Sequence, residues 1–167
     1  LYPPRQSLLF PTGVKISTLY SGKLHACILS KDGELYCWGS GNAYRLGNGS
    51  YDNVPSPPQK PTAFPSGEKV STFATQNLHA CAKMLSGKAY CWGFGGKGAL
   101  GNGKTQNQPS ASQPLALFHQ PIESLSTGRY HTCVLQDKGR MRCWGDNDYG
   151  QLGYGDKQER HRPNSKR

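Results

Sequence analysis

Six cysteines and three histidines are the residues of this 167-residue chain whose types and spacing could do chemistry. Cys27 and Cys37, Cys81 and Cys91, and Cys133 and Cys143 form three pairs of equal spacing, and His25, His79 and His131 each stand two positions before the first cysteine of a pair. Two chemistries fit such a set. Thiolates and imidazoles can ligate zinc, or the thiols can pair as disulfides. Zinc is the weaker reading, because no pair has the tight Cys-x-x-Cys spacing and each histidine shares a face with its cysteines without a fourth ligand.

The disulfide reading rests on strand register. Each pair flanks a turn with glycine third: Lys31-Asp32-Gly33, Leu85-Ser86-Gly87 and Asp137-Lys138-Gly139. That pattern fits a three-residue hairpin loop, a type I turn closed by a left-handed residue. With Ser30 and Glu34 closing the first hairpin, Cys27 falls opposite Cys37 in a non-hydrogen-bonded pair, where side chains approach most closely. The same register opposes Cys81 to Cys91 and Cys133 to Cys143. Three bridges inside three hairpins are expected, each stabilising by about 2–3 kcal/mol. Bridges in every hairpin point to an oxidising compartment.

Catalysis finds little support. The cysteines are committed, and each histidine occupies the same place in a repeated segment, so it reads as structural. No catalytic residue, metal site or cofactor is expected. Trp38, Trp92 and Trp144 recur in the same way and read as buried anchors, with sugar-stacking platforms as the alternative. The Leu-Gly-x-Gly segments that begin at Leu46, Leu100 and Leu152 read as turns, because a phosphate-binding loop would need Gly-Lys-Ser/Thr. Asn48-Gly49-Ser50 matches the N-glycosylation sequon in an exposed loop, where an unmodified Asn-Gly turn is the plainer reading.

These residues sit in three copies of one segment, recurring every 52–54 residues or so. The copies share His-x-Cys, a turn glycine, Cys-Trp-Gly and Leu-Gly-x-Gly. In the first copy Ala26, Ile28, Tyr36 and Trp38 share one face of the hairpin, while Leu29 and Leu35 share the other with the cystine. Both faces are apolar or bridged, so each hairpin must be covered on both sides, as stacked propeller blades are. Segments 14–19, 69–73 and 122–126 are expected to add outer strands, and 113–118 a later one. Residues 53–61, rich in proline, read as a rigid exposed linker. The domain scheme is an N-terminal segment 1–13, three repeats over 14–156 (about 14–68, 69–121 and 122–156), and a basic tail 157–167.

The pattern His-x-Cys, Asp-Gly, Cys-Trp-Gly and then Tyr149-Gly150-Gln151-Leu152-Gly153 resembles the regulator of chromosome condensation repeats, over roughly residues 14–156. The resemblance implies an all-β propeller, usually of seven blades. Its nuclear founder is a nucleotide-exchange factor for a small GTPase and docks on chromatin. A secreted bacterial member resembles an inhibitor of β-lactamase, and many cysteine-paired extracellular members have no assigned role. The cysteine pairs here depart from the nuclear pattern. Three copies are also too few to close a ring of about four to eight blades, so the chain reads as a segment of a longer one or as blades completed by other chains. Arg142 replaces the tyrosine of Tyr36 and Tyr90, so the third blade is expected to expose a flank carrying Arg142 and Trp144.

Only 35% of residues are hydrophobic, whereas 21 glycines and 12 prolines favour turns and short strands over long helices. No apolar run approaches the 18 or so residues of a membrane helix. The net charge of +10 permits weak polyanion binding, and Lys157, Arg160, Arg162, Lys166 and Arg167 concentrate part of it in the tail, which reads as a flexible basic end. No nucleic-acid-binding module is present. The expected function is a non-catalytic protein-binding or structural module of an extracellular assembly. Its partner would be protein: further blades, a second copy or a different subunit. A carbohydrate-binding propeller and an intracellular exchange factor or chromatin binder are the alternatives.

Overall fold

Each cysteine pair closes a hairpin whose turn glycine supplies the left-handed residue. Gly33 (φ 75°) and Gly87 (φ 87°) do so in the first two copies. In the third, Lys138 (φ 65°) and Gly139 (φ 70°) are both left-handed, so that turn has the expected length but a different shape. The computed structural model of the protein describes residues 10–62, 64, 67–111, 115 and 121–163.

The first sheet runs in the order β1 (Ile16–Ser21), β2 (His25–Ser30), β3 (Leu35–Gly39) and β4 (Val54–Gln59). The second contains β5 (Val70–Thr75), β6 (His79–Met84) and β7 (Ala89–Gly93). The third contains β8 (Ile122–Thr127), β9 (His131–Gln136) and β10 (Arg140–Gly145). All pairings are antiparallel, and Cys27 faces Cys37, Cys81 faces Cys91 and Cys133 faces Cys143. The Cα atoms of each pair are 4.1 Å apart, the close spacing of a non-hydrogen-bonded pair, and all six sulfurs are joined in disulfides. Each sheet repeats one irregularity: the pairing slips by a residue at Ser17, Ser71 and Glu123, a bulge near the start of β1, β5 and β8.

The three sheets are successive blades of a partial β-propeller. One apolar cluster joins the first two blades, with Leu29, Leu35, Phe73 and Trp92 at its centre. A second joins the second and third, with Cys91, Leu100, Leu125 and Trp144. In each junction the cystine face of one blade meets the tryptophan face of the next.

Four sequence expectations are corrected. Segments 14–19, 69–73 and 122–126 do give edge strands, but neighbouring blades meet across β1, β5 and β8, so these are inner strands. The stretch 53–61 is not a free linker, because Val54–Gln59 pairs with β3 as the fourth strand of the first blade. The tail is not a free basic end through residue 163: Arg160 bridges Gly145 as Val54 bridges Gly39 and Gln108 bridges Gly93, and Pro163 is buried. Trp144 is fully buried against the second blade, so the third blade's open flank is its cystine face. The strand expected at 113–118 and residues 1–9 and 164–167 lie outside the described residues, except Leu115, whose N–H donates to Ala89 O at 2.7 Å.

Candidate functional site at the blade flanks

The recurring tryptophan and the recurring Leu-Gly turn form one joint, built from two adjacent blades. Trp92 Nε1 donates to Arg45 O at 3.1 Å, and Trp144 Nε1 donates to Ala99 O at 3.0 Å. The glycine two positions after each accepting carbonyl lies against the indole. A Cβ on Gly47 would stand 2.5 Å from Trp92 Nε1, and one on Gly101 would stand 2.5 Å from Trp144 Nε1. Only glycine admits the ring there, and both glycines are left-handed (φ 70°). The sequence flagged these turns without their partner. The signal was the joint recurrence of Trp in one copy and Gly in the copy before it.

The histidines strap the same junctions. His25 Nε2 lies 2.6 Å from Thr75 Oγ1, and His79 Nε2 lies 2.9 Å from Thr132 Oγ1. Thr132 spends its hydroxyl proton on Ala99 O (2.9 Å), so His79 must be the donor and carries its proton on Nε2. Burial holds both imidazoles down to about pKa 4, with the positive Arg45 adding to the effect at His25 and the neighbouring His131 at His79. They are neutral struts near neutral pH. With every cysteine sulfur in a disulfide, no thiolate is left to join these rings in a zinc site or to act as a nucleophile.

At the outer ends of the stack the same joint is half made. Trp38 is only partly buried and packs on Phe10, with ring centroids 6.0 Å apart. On the third blade Gly153 (φ 76°) repeats the Gly47 and Gly101 conformation, yet a Cβ there would meet nothing within 4 Å among the described residues. Leu29 and Leu35 are buried beneath the second blade, and Ala89 beneath the third. Their counterparts on the last flank, Leu135 and Met141, are 37% and 62% exposed. Burial also lowers the pKa of His131, against the opposing pull of Asp146, although His131 is only half covered.

Asn48 lies in the first Leu-Gly turn. Its Nδ2 donates to Gln59 Oε1 at 3.0 Å and its Oδ1 accepts from Ser50 N at 3.2 Å, as in an ordinary Asx turn. Among the described residues no His, Cys, Asp and Glu side chains gather as a metal site, and no helix is long and apolar enough to cross a membrane.

Comparison with known proteins places this geometry. The family model described as "Regulator of chromosome condensation (RCC1) repeat" matches residues 32–82, 86–135 and 138–165, and a second model of the same description matches 16–45 and 122–151. The chain is 35% identical over 156 residues to the E3 ubiquitin-protein ligase HERC2 of Homo sapiens, which covers 91% of this chain and 3% of that protein. It is 32% identical over 143 residues to the ultraviolet-B receptor UVR8 of Arabidopsis thaliana, covering 86% of this chain and 32% of that one. Thus it spans a small part of the curated relatives it matches. Human WBSCR16 shares the fold at a TM-score of 0.81 and 24% identity, over 93% of this chain and 38% of that one. Prp20p of Saccharomyces cerevisiae, described together with its binding to Gsp1p and histones, superposes at 0.71 with 26% identity, over 83% and 34%.

Proposed function

Because the chain belongs to the regulator of chromosome condensation (RCC1) repeat family, we propose that it is a non-catalytic protein-binding and structural module that works in an extracellular assembly through its blade flanks. The half-made joint carries this reading. A left-handed Gly153 that meets no described residue, on the same blade as exposed Leu135 and Met141, has the shape of a surface that receives protein. A further blade, a second copy or a different subunit would supply the covering face, as Trp92 and Trp144 do within the chain. A charge on that face is the test. Met141→Glu should weaken association at least tenfold, whereas Leu85→Glu, on the second hairpin turn and 73% exposed, should not. Equal effects from both would overturn the reading.

Three disulfides in three blades support the extracellular setting, since reducing compartments keep such thiols free. A glycan on Asn48 belongs to the same proposal and would shift the mass of the native protein on enzymatic removal. The likeness to Prp20p favours a second reading, an intracellular binder of a GTPase or of histones. Thiol counting on protein from its native source separates the two: blocked cysteines fit the first, free thiols the second. The ligase activity named for HERC2 is not carried over, because the chain matches 3% of that protein.

A further inference from the structure

Three aromatic side chains that the repeat does not call for meet where the second blade adjoins the third. Phe94 stands where the other copies have Ser40 and Asp146. Tyr130 replaces Leu24 and Leu78, and Tyr149 replaces Ala43 and Lys97. A residue that blade packing requires recurs in every copy, and these do not. They line one groove of about 510 Å³, inside the range of roughly 300–1,000 Å³ common for small-ligand sites. Phe94 and Tyr130 pack with ring centroids 5.3 Å apart, and the Arg129 guanidinium lies 4.9 Å from the centre of the Tyr130 ring. Tyr149 is 90% exposed, so no packing among the described residues accounts for it.

The polar wall of the groove is built just as definitely. Asp146 is only 9% exposed. Gln151 Nε2 donates to Asp146 Oδ2 at 2.9 Å, and the Oε1 of the same glutamine accepts the Tyr149 N–H at 2.9 Å. One side chain thus fixes both the carboxylate and the backbone that carries the exposed ring. Asp146 Oδ1 is buried and has no hydrogen-bond donor among the described residues; Lys97 Nζ is 3.9 Å away and also serves Asp148 (3.4 Å) and Glu159 (3.6 Å). A buried carboxylate oxygen without a donor is costly. Lys97 and Arg129 balance Asp146 and Asp148, so the groove as a whole favours neither cations nor anions.

We propose that this groove is a carbohydrate-binding site for neutral saccharides, with a sugar ring stacked on Tyr149 and a sugar hydroxyl donating to Asp146 Oδ1. Aromatic faces suit the C–H faces of sugar rings, and a fixed carboxylate with a nearby guanidinium suits their hydroxyls. Balanced charge removes the incentive for an ionic ligand. Neither Tyr149 nor Asp146 belongs to the cystine face, so variants of the groove and of that face can be tested separately.

The test uses the full chain on an array of neutral hexose and N-acetylhexosamine oligosaccharides, printed beside heparan sulfate, at physiological salt. Binding to a neutral oligosaccharide is expected. It should fall about tenfold or more in Tyr149→Ala and in Asp146→Asn, the loss due to one stacked ring or one charge-assisted hydrogen bond. It should survive in Tyr149→Trp and in Met141→Glu. Unchanged melting of the variants guards against a folding effect. The proposal fails if no neutral glycan binds, if binding survives both losses, or if only heparan sulfate binds, which would point to the basic surface.

Discussion

Trp144 lies so closely over Gly101 that a Cβ on the glycine would stand 2.5 Å from the indole nitrogen, while the same atom on Gly153 would meet nothing within 4 Å among the described residues. One sequence motif therefore has two energetic lives, decided by whether a blade follows. Gly101→Ala combines left-handed strain with a forced shift of a fully buried ring, and should destabilise by about 3 kcal/mol. Gly153→Ala keeps only the strain, about 1 kcal/mol. Chemical denaturation of both variants measures the difference. If Gly153→Ala costs as much as Gly101→Ala, the third blade's socket is already filled.

Acid should loosen the blade junctions. The folded-state pKa of His79 is about 4, below its ordinary 6.5. The unfolded chain therefore binds more protons between those values, and stability is full above pH 6.5 and falls as pH drops toward 4. For the fully buried His79 the loss is about 3 kcal/mol over that window. Denaturant midpoints from pH 7 to pH 4 should trace it. His79→Gln, which can still donate to Thr132 but does not titrate, should flatten the profile; an unchanged slope would assign the pH dependence to other groups.

The bridges give a covalent check. Non-reducing peptide mapping should return 27–37, 81–91 and 133–143 alone. Replacing Cys81 and Cys91 together by serine should cost about 2–3 kcal/mol. A bridge between blades would contradict the register of the hairpins.

Local rules carried the sequence reading as far as single blades. Turn glycines and opposed cysteines dictate hairpin register, so the pairing of Cys27 with Cys37 could be read from spacing. Contacts between copies could not. The identity of the face that each blade presents to the next depends on how successive sheets stack, so the Arg142 substitution alone points to the wrong flank for Trp144. The proline-rich stretch holding Val54 read as linker because prolines donate no backbone hydrogen bond, yet an edge strand tolerates them. Asp146 and Tyr149 left no periodic trace, because a binding groove is made by departures from the repeat.

The central claim, that this chain carries apolar blade faces meant for other protein, is tested most directly by sedimentation of the isolated chain at low concentration across a salt series. Exposed Leu135 and Met141 should drive self-association, or retain a co-purifying protein. That association should persist as salt rises, since stacking of apolar faces is not screened whereas contacts through the basic surface are. A compact, cooperatively melting monomer at every salt concentration, with no partner bound, would contradict the account.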